Sequence, residues 1–323
     1  MINPLMHGMS ACHLMFKVRA REAIHLVGQP GSAIRGGLYG VLSDNFCTAP
    51  DGPHTEGHAD NCPVCWLLAL EDPTNNRGRN LPRPLTIEPP PAGDYEVGNT
   101  FRFGITLIGQ AQNLFPYVAR AVARLGHIGI GRGRERGCGR FTLEEIQEIN
   151  PLLDATRSLL NMRNVRQPHL QVTPARVSEA TPQRASSITL NLLTPTRLTQ
   201  QKRLVKSPEP YPFVARLIER CQQLATHYGV GNQDVDPILW RDAYQQLTAL
   251  AHEWTLTYKE TEWVEHRSGS RRHKRSTPIS GLVGRFRWEG DITPVYPWLV
   301  WGQSLHVGKD AVKGNGWYRI LRK

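Results

Sequence analysis

One spacing occurs twice in the chain and limits its architecture more than any other feature. Gly131, Gly137, Gly139 and Phe141 are separated by 6, 2 and 2 positions, and Gly308, Gly314, Gly316 and Tyr318 repeat those intervals. Each copy of this G-x5-G-x-G-x-[Phe/Tyr] motif follows a strand-then-helix pattern and precedes a closing strand. The two halves are therefore read as related modules. Glycine at these positions permits φ > 0 and lets backbone N–H groups approach a bound group closely.

The surrounding pattern supplies the modules. CHLMFKVRA (12–20) reads as a strand. Pro30 and Gly31 form a turn, and Ser32 caps a helix in which Ile34, Leu38, Val41 and Leu42 recur at helical spacing. After a Cys/His-rich loop and a Pro-rich run comes TFRFGITLIG, with Phe101, Phe103, Ile105 and Leu107 on one face. A second helix opens at Asn113, and CGRFTLEEI closes the module. Residues 151–186 lose periodicity and read as a linker. Beyond it, SITLNLLTP is a strand, 213–228 and 238–254 are helices, the latter capped by Asp236 with Pro237 at its start, and 254–263 and 281–290 alternate as strands. VYPWLVWGQS is a short helix and WYRILRK a final strand. The expected fold is α+β: two tandem ferredoxin-like, RRM-like βαββαβ modules, at 1–150 and 187–323.

At 323 residues with 40% hydrophobic and 21% charged residues, the chain is long enough for two ordinary domains and too apolar for general disorder. No run approaches the roughly 20 apolar residues that span a bilayer. With no export signal at MINPLMHGMSACH, a cytoplasmic, membrane-free chain is expected. The net charge of +11 favours a polyanionic partner.

The cations cluster. The first glycine loop carries Arg132, Arg134, Arg136 and Arg140 against Glu135, which reads as an anion site. It fits no G-x-G-x-x-G register and leads into a strand, so it is not a dinucleotide fingerprint. In the second loop Gly308-Lys309 is followed by Asp310, without the Ser/Thr of a Walker loop, so ATP use is not expected. RSGSRRHKR contributes Arg267, Arg271, Arg272, Lys274 and Arg275 beside His273, a run suited to phosphate contact. Trp254, Tyr258, Trp263, Phe286 and Trp288 could stack on bases, although alternating strand aromatics are more commonly core.

Cys47, His54, His58, Cys62 and Cys65 place five zinc-type donors within one loop. Six cysteines are too sparse for a disulfide scaffold. Cys47, His58, Cys62 and Cys65 are the expected set for a structural zinc; only four donors are needed, and a remaining histidine would be free for other work.

GSAIRGGLYGVL, the loop ending CPVC, PRPLTIEPP, FRFGITLIG, GRGRERGCGRF, LTPTRL and LHVGKDAVKGNGWYRI together resemble the CRISPR-associated repeat-processing endoribonucleases of the RAMP superfamily. The resemblance implies binding of CRISPR repeat RNA and cleavage of precursor crRNA without a required cofactor, leaving a 2′,3′-cyclic phosphate and a 5′-OH. It also implies that other subunits of a CRISPR effector complex could be partners. The family places its active-site histidine in or just after the first helix, which points to His54 or His58. His306 with Lys309 forms a rival site, and His25 is a weaker candidate. Arg35 and Tyr39 on the first helix are expected to orient or neutralise phosphate, together with Gly308, Lys313, Gly314 and Gly316 of the second loop. The alternatives are a non-catalytic RNA-binding scaffold subunit and, more remotely, a zinc-dependent nucleic-acid protein unconnected with CRISPR.

Overall fold

In the computed structural model, which describes residues 2–49, 56–69, 81–160, 164–231, 234–270 and 275–321, strand β1 (Ala11–Ala20) alternates Leu14, Phe16 and Val18 towards one core and Lys17 and Arg19 outwards. That period of two makes β1 the central strand of the first sheet. The sheet comprises β1, β2 (Leu85–Glu88), β3 (Thr100–Ile108) and β4 (Phe141–Asn150), in the antiparallel order β2-β3-β1-β4. Phe16 faces Phe103 across the ladder with ring centroids 5.4 Å apart. β2 lies within the Pro-rich run, where Leu85 and Ile87 are buried between prolines.

Two helices cover one face. α1 (Pro30–Phe46) buries Ile34, Leu38, Val41 and Leu42, and α2 (Phe115–Ile128) buries Phe115, Val118, Ala121, Val122 and Leu125. Gly37 lets them close up, because a Cβ there would stand 2.6 Å from the Leu125 side chain. Both helix starts differ from the sequence reading. α1 begins at Pro30 with Gln29 as its cap, so Ser32 lies inside the first turn. Asn113 belongs to a 3-10 segment ahead of α2, which starts at Phe115 with Pro116 behind it. A proline at the first helical position lacks an N–H that would be unbonded there in any case.

The second module repeats the plan. β5 (Ser187–Thr196), β6 (Thr255–Val264), β7 (Gly281–Glu289) and β8 (Tyr318–Leu321) form a sheet ordered β6-β7-β5-β8, with α3 (Pro210–Tyr228), the additional α4 (Pro237–His252) and α5 (Tyr296–Leu305). The two strand orders are the same, and the chain is two ferredoxin-like modules. Trp254, Phe286 and Trp288 are core residues, whereas Tyr258 is exposed. Trp263 is half-buried beneath Lys206, whose Nζ is 5.6 Å from its ring centroid.

The stretch read as a linker is substantially folded. Ala155–Ser158 extends the first sheet beyond β4. Glu148, buried on β4, holds Arg157 and accepts the His169 and Leu170 N–H groups. Val172 and Val177 enter the core of the second module together with Leu5, Met6 and Met9 from the N-terminal segment. Among the described residues no helix is long and apolar enough to cross a membrane.

Candidate nucleic-acid interface

The repeated glycine motif is a repeated piece of geometry. Gly131 and Gly308 have φ of 81° and 84°, Gly137 and Gly314 78° and 92°, and Gly139 and Gly316 83° and 71°. Between them lie matching 3-10 turns, Arg134–Arg136 and Ala311–Lys313. Each loop is closed by one bond: Ile130 N–H donates to Gly139 O, and Val307 N–H to Gly316 O, both at 3.0 Å. Each is also tied to its own module, Arg132 N–H to His25 O at 3.0 Å and Lys309 N–H to Arg197 O at 3.2 Å.

Three of the glycines already use the N–H groups expected to face a bound anion. The N–H groups of Gly137, Gly314 and Gly316 donate to Arg134 O, Ala311 O and Pro195 O. The glycines shape the loops, and the cationic side chains are what the loops present. Arg132, Arg136 and Lys309 are exposed, while Arg134 and Lys313 are half-buried. Acidic groups hold some of these cations. Arg140 is bound to Glu22, whose carboxyl lies below the usual range chiefly because of that hydrogen bond, and Lys313 Nζ lies 2.9 Å from Asp310.

Helix α1 runs between the two loops. At its N-terminal end Gly31 packs on the second loop: a Cβ there would collide with the Lys313 carbonyl, 2.8 Å from its carbon. Gln29 Nε2 donates to Asn315 Oδ1 of that loop at 2.6 Å. One and a half turns from the C-terminal end, Gly40 would place a Cβ 3.7 Å from Nη2 of Arg134 in the first loop. Between these two points, the Arg35 guanidinium lies 5.7 Å from the Tyr39 ring centroid, and its Nη2 donates to Leu68 O at 3.0 Å. Arg83 Nε donates to the same carbonyl at 3.1 Å. The Arg134 guanidinium thus lies beside the helix that carries Arg35 and Tyr39, and the Lys313 backbone packs on that helix's first turn.

Residues 190–318 match the family model of the CRISPR-associated endoribonuclease Cas6, and residues 9–172, just over half the chain, match the AF_1859_N model, described as an N-terminal domain. The Cas6 family match thus lies in the second module. No curated protein matches it. Solved structures with the same fold include a Cas6 (TTHB231) product complex, with 15% identity, 98% of this chain and 100% of the other covered, and a TM-score of 0.58. The Thermus thermophilus Cas6 (TTHB231) has 15% identity, 97% and 99% coverage and a TM-score of 0.54. A partial Cas6-RT-Cas1–Cas2 complex has 14% identity, 98% of this chain and 46% of the other covered, and a TM-score of 0.58.

Within this Cas6 fold the histidines occupy different environments. His306, expected as a rival catalytic group, is fully buried at the C-terminal end of α5, with φ 61° and ψ 173°. Its Nδ1–H donates to Asn315 O at 3.0 Å, and burial lowers its pKa to about 3. Such a ring holds the second loop together and cannot meet an RNA strand arriving from solvent. Gly129, with φ 92° and ψ 164°, fills the matching cap of the first module. His58 Nε2 lies 3.4 Å from Cys47 Sγ, within the sulfur-rich group. His25 is solvent-accessible beside the first loop, with Nδ1 2.8 Å from Asp94 Oδ1. His54 lies outside the described residues, as do Arg271, Arg272 and Lys274. Arg267 and Arg275 stand on paired antiparallel strands, Arg267–Ser270 and Arg275–Pro278.

A polar cluster joining the modules escaped the sequence reading. His13 sits on the face of β1 opposite Phe16. Its Nε2 lies 2.9 Å from Ser304 Oγ of α5, and its Nδ1 lies 3.0 Å from Thr106 Oγ1 and 3.3 Å from Glu88 Oε1. Thr86 Oγ1 donates to Ser304 O at 3.0 Å. Burial raises the Glu88 pKa, but the His13 hydrogen bond and neighbouring positive charge outweigh it and the net shift is downward. The available signal was the run of His13, Thr86, Glu88 and Thr106 at inward positions of strands that are otherwise apolar.

Proposed function

We propose that this chain binds CRISPR repeat RNA along α1, between its two glycine loops, and cleaves precursor crRNA within the repeat without a metal ion. One observation carries the reading: the first loop brings the Arg134 guanidinium, and the second loop the backbone of its Lys313 turn, to the same helix that bears Arg35 and Tyr39. The 2′-oxygen, losing its proton to a base, attacks the adjacent phosphorus. The bond from phosphorus to the 5′-oxygen breaks, and an acid protonates that oxygen. The products are a 2′,3′-cyclic phosphate and a 5′-OH. Arginine and lysine side chains stabilise the extra charge on the phosphorane. Histidine suits both proton transfers because its pKa lies near 6.5. With His58 in the sulfur cluster and His306 buried, His25 and His54 are the histidines assigned to these transfers, and Lys309 is an exposed cation for the phosphate.

The product complex among the structural relatives and the Cas6-RT-Cas1–Cas2 assembly support repeat RNA and other CRISPR subunits as the partner classes. The test is incubation of the chain with repeat RNA in EDTA, with the cut and its end groups mapped. A single 2′-deoxy substitution at the cut site should abolish cleavage and leave binding unchanged. RNA that stays intact on prolonged incubation with well-folded protein would refute the enzyme reading. It would favour the RNA-binding scaffold reading, which the withdrawal of His58 and His306 from solvent-facing chemistry also supports.

A further inference from the structure

The loop after α1 brings donors from three separate pieces of backbone to one point. Cys47 caps the end of α1, its N–H donating to Ser43 O at 3.2 Å. His58 lies on the helical turn Glu56–Asn61. Cys62 and Cys65 open the segment that follows, where Trp66 N–H donates to Cys62 O at 2.9 Å. The Cys47 sulfur is 3.4 Å from His58 Nε2 and 3.8 Å from the Cys65 sulfur, and the donor atoms of all four residues lie within 4.8 Å of one another. A tetrahedral zinc with Zn–S bonds of about 2.3 Å and a Zn–N bond of about 2.0 Å sets S···S near about 3.8 Å and S···N near about 3.5 Å. No cysteine is in a disulfide. Three sulfurs and one imidazole nitrogen, with two of the pairs at these separations and all four within 4.8 Å, form a ligand set and not merely a packed apolar corner.

We propose that Cys47, His58, Cys62 and Cys65 bind one Zn²⁺ in a closed, structural site. Four protein donors fill a tetrahedron, so no position remains for a reacting water. The zinc therefore takes no part in RNA cleavage. Its effect is positional: it fastens residues 56–69 to the end of α1. Leu68, three residues beyond Cys65, offers its carbonyl to both Arg35 and Arg83. Through that carbonyl the zinc fixes the guanidinium stacked on Tyr39. This consequence rests on the proposed RNA site, whereas zinc binding itself does not.

The full-length chain, purified from zinc-replete cells in chelator-free buffer, should contain one zinc per chain by atomic emission. The metal-free chain titrated with Co²⁺ should develop thiolate-to-metal charge-transfer bands and the visible bands of tetrahedral cobalt, saturating at one equivalent. C62S and C65S should lose these bands, and C138S, at an exposed cysteine outside the cluster, should keep them. The cobalt titration uses the unaltered chain and does not depend on the variants folding. Zinc near zero after purification, cobalt binding without a thiolate band, or a Cys62–Cys65 disulfide in the fresh protein would each overturn the proposal. Any of these results would leave the cleavage assay independently interpretable.

Discussion

Two glycines two positions apart in the first loop should respond very differently to one added methyl group. Gly137 has φ 78° with nothing within 4 Å of a built Cβ, so Gly137→Ala meets only the backbone penalty. That penalty is about 1–2 kcal/mol for an L residue in the left-handed region, partly offset by about 0.4–1 kcal/mol from the stiffer unfolded chain. The net loss should be about 1 kcal/mol. Gly139 has a similar φ, 83°, but its Cβ would overlap the Ile130 carbonyl oxygen. Relieving that overlap spreads the loop and weakens the Ile130 N–H to Gly139 O bond. The loss of the bond costs about 1 kcal/mol, and the steric crowding a further ~1–3 kcal/mol. Gly139→Ala should thus lose roughly 3–5 kcal/mol, and Gly316→Ala, with the Val307 carbonyl carbon 2.8 Å from its Cβ, should behave alike. Urea unfolding followed by circular dichroism reads all three. Equal losses at 137 and 139, or a larger loss at 137, would refute the argument that backbone contact, beyond torsion, reserves the motif for glycine. A fall in RNA affinity for a stably folded Gly137→Ala variant would restore the view that these N–H groups bind the ligand.

Further outcomes test the charges and the buried groups. Arg132→Gln and Lys309→Gln should each lower the slope of log affinity against log salt by about 0.7 for every phosphate left without its cation, while Arg140→Gln, already paired with Glu22, should change it little in filter-binding assays across salt. Folded His306 resists protonation until about pH 3, whereas the unfolded ring accepts a proton from 6.5 downward. Between those values the unfolded chain binds more protons, so stability falls as pH falls, by up to about 1.4 kcal/mol per pH unit. His306→Gln should flatten that part of the profile in urea melts from pH 7 to 4, and an unchanged slope would contradict the buried, neutral ring. Glu88, shifted downward, contributes in the same direction and remains in the variant. Ser304→Ala should cost about 1–3 kcal/mol by leaving His13 Nε2 without its partner, read from the urea midpoint. A neutral result would show that water replaces the hydroxyl.

The period-two alternation of β1 and the helical spacing of α1 were legible in the sequence because both are local. So was the duplicated glycine spacing, since positive φ and a carbonyl at van der Waals range exclude other residues. Helix starts were misplaced because Ser32 and Asn113 look like caps, but Pro30 and the 3-10 segment before Phe115 shift the first turns. Residues 151–186 were read as a connection because Ala155–Ser158, Val172 and Val177 are too short or too scattered to make a period. Their partners, β4 and the second core, lie far away in sequence.

The site divides in the same way. Residue types and spacing alone nominated Cys47, His58, Cys62 and Cys65 and identified the cationic loops, because chemistry and short separations are written into the chain. Tertiary structure decided which groups meet. Lys313 reaches Gly31 of α1, and His13 reaches Ser304, only when the second module docks on the first. Burial and long-range contact depend on where distant segments are brought by packing, and no local pattern records that.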